Sequence, residues 1–528
     1  MKPYIRKNRA PLSGALVCAL AATAAAVVLQ FFKGDVLDSA ILGEAGAALN
    51  SALLLIGFIL LETGFYFAYE RLSARFSVAC LRDLKADLFE SILRRSYVRF
   101  RELPQGEYLA KYTNEAEQVK SRCFNMLPML WEVAAKAVLV SIALFLLDWR
   151  IALITIALVS TPLYVPKLIE KRLQRAQRES VAAAERNLAA VADWLAGFEV
   201  LKNFSVERRV LTRFHRTNAE LAAARRTDEQ LDALSRLITT LISYLSYFII
   251  VAFSAYLVLA GDFSAGDFFI AVGMIDQLSY PMIALARITR MLVAIRPICD
   301  GLRAFIAARD ADEPEGAPMR REIRFDRVGF SYEPGKPVLK EFSLTIERGK
   351  RYLLKGPSGC GKTTAANLLL RYYAADSGSV AVDGVPIGQC GNPYGWITVV
   401  RQEATLFHDT LRNNLTMYRN LADSALIGML ERVGLGKFAN REALDNVVAD
   451  GGANFSGGEK KRICLARALL RDTEMLILDE PLANLDDETA RRIEALLLSI
   501  PDKTLLVVSH QFSAENLARF DEVLDLAR

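Results

Sequence analysis

The chain has 528 residues, of which 52% are hydrophobic and 24% charged, and its mean hydropathy is +0.21. This mixture indicates membrane spans joined to soluble mass. The net charge of +5 gives no case for a nucleic-acid partner. The seven cysteines form no CxxC pair and no Cys/His spacing suited to zinc, so we interpret them as reduced thiols that mostly serve packing.

Six apolar runs are long enough to cross the roughly 30 Å hydrocarbon core of a membrane. The first begins at Leu12, after a basic N-terminus that resembles a signal peptide, and ends at Phe32. At about 21 residues it is longer than the roughly 7–15 of a signal core, which indicates a retained span. The predicted spans lie near 12–32, 46–69, 127–147, 150–169, 237–260 and 266–290.

The segments between the spans differ in length and charge. The long ones, about 70–126 and 170–236, are rich in Lys and Arg, whereas the short segment 33–45 is acidic. By the positive-inside rule the N-terminus and both long segments are cytoplasmic, which predicts a multi-pass protein of the bacterial cytoplasmic membrane. The long segments have helical patterning, and some 28 residues of helix reach on the order of 40 Å into the cytosol.

After the last span the pattern changes. The acidic, Pro-containing stretch from Asp310 to Pro318 is typical of a linker, and the sequence after it alternates in a β pattern. The predicted fold is an all-α six-helix transmembrane domain with long cytoplasmic helix extensions over 1–309, a linker over 310–322 and an α/β domain over 323–528.

The strongest local signal is GPSGCGKT, which fits G-x-x-x-x-G-K-[ST] between a strand-like RYLLK and a helical stretch. A chance match in a Gly-rich turn would not predict that strand and helix. The glycines let backbone N–H groups curl around phosphates, the Lys362 ammonium reaches the β/γ oxygens, and the Thr363 hydroxyl can hold Mg²⁺. Cys360 is interpreted as a small filler beside the nucleotide. The predicted ATP contacts here are Gly356, Pro357, Ser358, Gly359, Cys360, Gly361, Lys362, Thr363 and Thr364.

A second strand-like run, MLILDE, ends in two acidic residues. Asp479 would hold Mg²⁺, and Glu480 would orient or deprotonate the attacking water. A buried strand that ends in two acids is common by chance. Its position downstream of a phosphate-binding loop makes the signal strong and predicts a P-loop NTPase.

The sequence NFSGGEKKRICLARALL, from Asn454 to Leu470, narrows the class further. It resembles the signature of the ATP-binding-cassette (ABC) transporter family, in which this motif binds the γ-phosphate of ATP held by the opposite subunit. A Ser and two glycines that open a helix are physically suited to phosphate. The resemblance implies ATP and Mg²⁺ as cofactors, assembly as a dimer, and nucleotide contacts from Ser456, Gly457, Gly458 and Glu459.

Other positions match the same family. Tyr332 in GFSY would stack on adenine. Gln402 matches the Q-loop glutamine, Asp486 the D-loop aspartate and His510 the switch histidine. The stretches GEYLAKYTNEAEQV and ADWLAGFEVLKNFSVE resemble the cytoplasmic coupling regions of the exporter-type fold. The resemblance thus assigns catalysis to Glu480, His510, Gln402 and Lys362, and the metal to Thr363, Gln402 and Asp479.

The chain departs from the family pattern at three places. The signature reads FSGGE rather than LSGGQ, the D-loop has Ala483 and Asn484 in place of Ser and Ala, and Asp450 stands where exporters usually carry Glu. Since the phosphate-facing Ser456 and the glycines are intact, we expect a modest effect on rate rather than a dead site.

The leading functional hypothesis is an ATP-driven transporter whose two cassettes close on two ATP molecules and drive alternating access. One alternative is an ATP-gated channel or a regulatory membrane ATPase, against which the intact Glu480 and His510 count. Another is an importer built on the exporter fold. The lack of a segment resembling a solute receptor favours export of a small molecule, lipid or peptide.

Each chain carries one P-loop and one signature, so a monomer would have no complete site. Two copies would make two competent sites, which favours a homodimer in the lipid bilayer over pairing with a paralogous half-transporter.

Charges inside spans are expensive and usually face a polar interior, and Glu62, Glu132, Lys136 and Asp276 lie within predicted spans. Glu132 and Lys136 are four residues apart on one helix face, so an internal ion pair is the alternative to a role in transport. Glu62 and Asp276 have no local partner. We expect Glu62 and Asp276 to line the translocation path and to favour cationic or amphipathic cargo.

Overall fold

The computed structural model describes residues 1–161, 165–310, 316–357, 359–483, 485–509 and 512–526, with the backbone alone at 165–170, 282 and 286. The chain divides into two compact units. The helical unit comprises Met1–Leu93 and Pro104–Arg309, and the α/β unit comprises Arg94–Leu103 and Asp310–Arg528. Residues 311–315 of the predicted linker lie outside the described residues.

The described part of the helical unit is almost entirely helical. Two π-helical segments, Lys111–Glu115 and Lys120–Phe124, interrupt the helical run that begins at Gln105. A further short helix, α4 (Tyr97–Arg101), belongs to the α/β unit. The helices of the helical unit are α1 (Lys2–Lys7), α2 (Arg9–Ile41), α3 (Ala45–Leu93), α5 (Gln105–Ala110), α6 (Ala116–Val119), α7 (Met126–Leu147), α8 (Trp149–Val159), α9 (Val165–Ala196), α10 (Phe198–Asn203), α11 (Glu207–Leu259), α12 (Ala265–Ala294) and α13 (Arg296–Ala307).

Several of these helical runs are long and apolar enough to cross a membrane. Helix α8 is apolar but shorter, and the predicted span over 150–169 includes 162–164, which lie outside the described residues. The predicted helical transmembrane fold is confirmed, while the number of six spans stays a prediction. The five runs of sufficient length among the described residues are Arg9–Ile41, Ala45–Leu93, Gln105–Leu147, Glu207–Leu259 and Ala265–Ala307.

The core of the helical unit lies where α2, α7, α8, α11 and α12 meet. Its fully buried side chains include Leu144, Ile151, Ile250 and Leu278. The most apolar stretch of α3 is instead wholly unburied within the chain. An apolar helix face of this kind is stable when it is kept from water. Contact with lipid or with a second subunit would do so.

Two helices of this unit begin with backbone N–H groups that donate to a carboxylate. Asp148 accepts hydrogen bonds from the amides of Arg150 and Ile151, so α8 can begin directly after α7 ends. At the start of α12, Asp38 accepts from the Gly266 amide. A Cβ at Gly266 would lie 2.3 Å from the Asp38 carboxylate, so only glycine permits this approach.

The α/β unit contains nine strands among its described residues. Its strands are β1 (Glu322–Glu333), β2 (Lys336–Glu347), β3 (Arg351–Lys355), β4 (Ser377–Val382), β5 (Val385–Pro386), β6 (Ile397–Val400), β7 (Met475–Asp479), β8 (Thr504–Val508) and β9 (Glu522–Asp525). Its remaining helices are α14 (Lys362–Leu369), α15 (Leu411–Thr416), α16 (Asp423–Arg432), α17 (Arg441–Asp445), α18 (Gly457–Leu469), α19 (Asp487–Leu498) and α20 (Ala514–Leu517).

Two sheets organise this unit. The antiparallel sheet has the order β2-β1-β4-β5, and the parallel sheet has the order β6-β7-β8-β3-β9. Strands β7 and β8 are buried along their whole length, which explains their unbroken apolar sequences. In a parallel sheet the carboxyl ends of the strands share one edge, so the loop after β3 and the acids after β7 come together there. The predicted α/β domain is confirmed.

Candidate ATP site

The loop between β3 and α14 contains three glycines with positive φ. Gly356, Gly359 and Gly361 have φ angles of +140°, +88° and +103°, which side-chain-bearing residues rarely adopt. The side chain of Lys362 is buried, and its ammonium donates to the carbonyls of Gly356 at 2.7 Å and Pro357 at 2.9 Å. Loop and ammonium thus surround one point at a helix N-terminus, which is the arrangement that binds phosphate. Ser358 lies outside the described residues.

A hydroxyl and a carboxylate meet beside this loop. The Thr363 hydroxyl donates to the Asp479 carboxylate at 3.2 Å, and Asp479 is the last residue of β7. Burial raises the pKa of Asp479, while the Thr363 hydrogen bond and the cations of Arg401, Lys362 and Lys461 act in the opposite direction. Such an oxygen pair fits Mg²⁺, which takes one or two protein oxygens and completes its shell with phosphate and water.

Glu480 lies on a strained turn directly after Asp479. Its φ is +48°, and its amide donates to the Val508 carbonyl on β8 at 2.8 Å. The buried Ser509 hydroxyl lies 3.5 Å from the carboxylate of Glu480. The turn therefore places a second carboxylate, that of Glu480, directly after the predicted metal ligand. The hydrogen bond to β8 holds the backbone of this turn.

Lys461 was missed by the sequence reasoning. Its ammonium donates to the carbonyls of Glu480 at 3.4 Å and Ala483 at 2.9 Å, so it connects α18 to the turn after β7. Burial lowers the pKa of Lys461, although Glu480 and Asp479 stabilise its charge. No short motif in the sequence singles out Lys461 from the adjacent Lys460.

Tyr332, near the end of β1, is held in place from three sides. Its hydroxyl lies 3.2 Å from the Thr364 hydroxyl, and the Asn367 amide donates to it at 3.2 Å. Its ring makes edge contacts with Phe330 and Tyr373 at centroid distances of 4.9 and 5.1 Å. Since 48% of the residue is still exposed, a ring face remains available for the predicted stacking on adenine.

The signature motif forms a capping box at the start of α18. The Ser456 amide donates to the Glu459 carboxylate at 2.8 Å, and the Glu459 amide donates to the Ser456 hydroxyl at 3.2 Å. Burial opposes the charge of Glu459, but Lys437 at 2.5 Å and the Ser456 amide lower its pKa overall. Glutamate at this position thus stabilises the helix N-terminus that presents Gly457 and Gly458.

The other predicted site residues are less constrained in the structure. Gln402 is exposed just after β6. Asp486 caps α19 by accepting from the Thr489 amide at 2.9 Å. His510 and Asn484 lie outside the described residues, so their predicted roles stay predictions.

The ionisable residues of the predicted translocation path lie on three helices. Glu132 on α7 and Tyr69 on α3 lie near each other. Among the described residues, no ion pair within 4.0 Å joins Glu132 to Lys136. Glu62 on α3 is half-buried and Asp276 on α12 is exposed within the chain.

Ten residues between α3 and α5 fold with the α/β unit. In this segment, Arg94–Leu103, the Tyr97 ring stacks on Tyr372 at 3.8 Å between centroids. Asp310 accepts from the Ser96 amide at 2.6 Å and pairs with Arg99 at 2.8 Å. The stretch 106–119, which resembles a coupling region, folds in the helical unit. The alternation of aromatic and basic residues in YVRFR was the overlooked signal.

Two family models match the chain. Residues 12–282 match the ABC transporter transmembrane region, and residues 339–483 match the ABC transporter domain. The chain therefore belongs to the ABC transporter family, with both domains fused in one half-transporter. It is a membrane protein whose ATPase activity is coupled to transport, and half-transporters of this kind work as dimers.

Similar proteins agree with this assignment. The chain is 27% identical to an ATP-dependent lipid A-core flippase of Syntrophus aciditrophicus, over 94% of this chain and 85% of the relative. It is 26% identical to the protein of the same name in Vibrio cholerae, over 99% of this chain and 91% of the relative. Among solved structures, a bacterial Atm1-family ABC exporter with ATP bound has a TM-score of 0.81 at 22% identity, over 99% of this chain and 94% of that one.

Proposed function

We propose that this chain is an ATP-driven exporter that works as a symmetric homodimer, with residues 323–528 as its cytoplasmic ATPase domain. The observation that carries the proposal is the grouping of the phosphate loop, the Thr363–Asp479 pair and the Glu480 turn at one sheet edge. Export is favoured because similar proteins are named flippases or exporters. The cargo class is a small molecule, lipid or peptide.

The residues of one chain would bind and orient ATP. Tyr332 stacks on the base, and the loop amides with Lys362 hold the phosphates. Thr363 and Asp479, with Gln402 as the further predicted ligand, would hold Mg²⁺, which would supply neutralisation of charge on the phosphate oxygens. Glu480 accepts a proton from the attacking water, which it holds in line with the γ-phosphate.

The signature supports a composite site shared by two copies. Among the described residues, Ser456 and Glu459 bond to each other and Glu459 to Lys437, and neither bonds to the phosphate loop. The free N-terminal amides of α18 are thus available to phosphate held by a partner. Because both half-sites are intact in this chain, two identical copies suffice for two sites.

Complementation of two inactive variants tests this assembly. Lys362→Ala damages the phosphate loop and Ser456→Ala the signature, so each homodimer should be inactive. Co-expression of the two should restore ATPase activity, because the mixed dimer has one intact site. The matched control pairs Lys362→Ala with Glu480→Gln, which damages the same half-site in both chains and should restore none.

Restoration in the first pair alone supports the homodimer. No restoration, or activity only after a different half-transporter is added, contradicts it.

Cargo-stimulated ATPase activity with uptake into inside-out vesicles supports export, whereas ion conductance without hydrolysis would favour a gated channel.

A further inference from the structure

A continuous series of side-chain contacts joins α4 to the residue that would hold the adenine base. We propose that Arg401 is a positioning residue in this series. Through Arg401, the orientation of the Tyr332 side chain depends on the position of the Tyr97 ring. The inference rests on the proposed ATP site. It adds a route between the 94–103 segment and the base that does not pass through the phosphate loop or the signature.

On the nucleotide side, Arg401 acts through one asparagine. Its guanidinium donates to the Asn367 side-chain carbonyl at 2.8 Å, and the Asn367 amide group donates to the Tyr332 hydroxyl at 3.2 Å. The Tyr332 hydroxyl lies 3.2 Å from the Thr364 hydroxyl. Because Asn367 accepts at one end and donates at the other, loss of the guanidinium would free its amide to rotate away from the phenol.

On the other side, Arg401 contacts an aromatic pair. Its guanidinium carbon lies 5.4 Å from the centroid of the Tyr372 ring, and Tyr372 stacks on Tyr97 with the two planes only 14° apart. Asp310 holds the segment of Tyr97 by accepting from the Ser96 amide. A shift of Tyr97 would therefore move Tyr372 and with it the cation that rests on its ring.

The chemistry of Arg401 suits this double contact. A guanidinium is planar, so it can rest on an aromatic ring and donate in its own plane at the same time, which an ammonium cannot do. Among the described residues, Arg401 forms no ion pair, because no carboxylate oxygen lies within 4.0 Å of its guanidinium nitrogens. Arg401 thus links the Tyr372 ring to the Asn367 side chain.

The proposal predicts a selective defect in base binding. In Arg401→Gln we expect the KM for ATP to rise about five- to tenfold, within the usual range of a coupling between sites, with kcat within about twofold of wild type. Competitive inhibition by magnesium tripolyphosphate, which has no base, should be unchanged. Arg401→Lys should recover little, because the ammonium cannot make both contacts.

The route from Tyr97 is tested by a double-mutant cycle in the reconstituted full chain. Tyr97→Leu should raise the KM for ATP, Tyr97→Phe should not, and the Tyr97→Leu/Arg401→Gln pair should be no worse than Arg401→Gln alone. Arg419→Gln is the matched control for charge loss. Arg419 lines the same cavity of about 520 Å³ as Arg401, but its guanidinium donates to the Thr416 carbonyl.

The outcomes separate this inference from the proposed function. If Tyr332→Ala raises the KM for ATP while Arg401→Gln does not, the inference is wrong and the ATP site stands. If the effects of Tyr97→Leu and Arg401→Gln multiply, or if tripolyphosphate binding weakens equally, the route is also wrong. If Tyr332→Ala leaves the KM unchanged, the assignment of the base site fails, and this inference fails with it.

Discussion

The ammonium group of Lys461 donates a hydrogen bond to the main-chain carbonyl of Glu480, at 3.4 Å. The same ammonium donates to the carbonyl of Ala483 at 2.9 Å, so one side chain from α18 holds both ends of the turn after β7. That turn contains the positive φ of Glu480, a conformation that persists only when its surroundings hold it.

Loss of these two hydrogen bonds should lower turnover. In Lys461→Met we expect kcat to fall about tenfold, or about 1.4 kcal/mol, which is the size of one typical hydrogen bond's contribution. The KM for ATP should stay near its wild-type value, because the phosphate loop is untouched. Steady-state ATPase assays check both values, and Lys461→Gln, which retains a donor, should recover most of the rate.

Lys460→Met on the same helix is the control for removal of a lysine. If it lowers kcat as much as Lys461→Met does, the helix rather than the turn is responsible, and the positioning role of Lys461 is wrong.

The next prediction concerns the pH dependence of the 94–103 segment. The pKa of Asp310 is lowered mainly by the hydrogen bond from the Ser96 amide. The Ser96 hydroxyl and Arg99 lower it further. A carboxylate with a lowered folded-state pKa stabilises the folded state above its unfolded pKa of about 4, and that stabilisation is lost as the pH falls through the lowered value. The contribution of Asp310 should therefore be complete throughout pH 5–8.

Hydrogen exchange measures this contribution directly. Asp310→Asn should speed exchange of the Ser96 and Tyr97 amides, and the free-energy difference from wild type should be constant between pH 5 and 8. Asp326→Asn, an exposed carboxylate of β1, is the control and should leave these amides unchanged. A difference that disappears toward pH 7 would show that the Asp310 carboxylate is not the group involved.

The sequence predicted those parts of the site that lie in short contiguous motifs. The glycines of the phosphate loop, Thr363 and Asp479 came from such motifs, because a turn, a helix N-terminus and a buried strand each leave a local pattern. Residues that act through distant partners left no such pattern. Arg401 meets Asn367 across 34 residues, and Tyr97 meets Tyr372 only once the chain has folded. Contacts of this kind depend on tertiary packing, which residue spacing does not encode.

The membrane path can be tested through its charges. If Glu62 and Asp276 bind cationic cargo, Glu62→Gln with Asp276→Asn should raise the cation concentration that half-maximally stimulates ATPase activity roughly tenfold, or about 1.4 kcal/mol. Glu44→Gln, an exposed change outside the helices, is the control. The measurement is ATPase stimulation by a series of amphipathic cations in reconstituted vesicles. Unchanged stimulation and transport for every cargo would exclude both carboxylates from the path.

The last prediction separates binding from hydrolysis at Glu480. Glu480→Gln keeps the size of the side chain and its contacts on the strained turn but removes the base, so we expect kcat to fall by roughly 10²–10⁴, or about 3–5 kcal/mol. ATP affinity should persist, because Lys362, the loop amides and Tyr332 are intact. Lys362→Ala should instead weaken binding itself, since its ammonium lies inside the loop.

The two inactive variants should therefore differ in conformation. Glu480→Gln should trap an ATP-occluded closed dimer, and Lys362→Ala should leave the ATPase domains apart. ATP-retention assays together with a cross-linking reporter between the two domains measure both properties. Wild-type-like hydrolysis by Glu480→Gln would mean that another group activates the water, and equal ATP retention by the two variants would mean that Lys362 does not hold the phosphates.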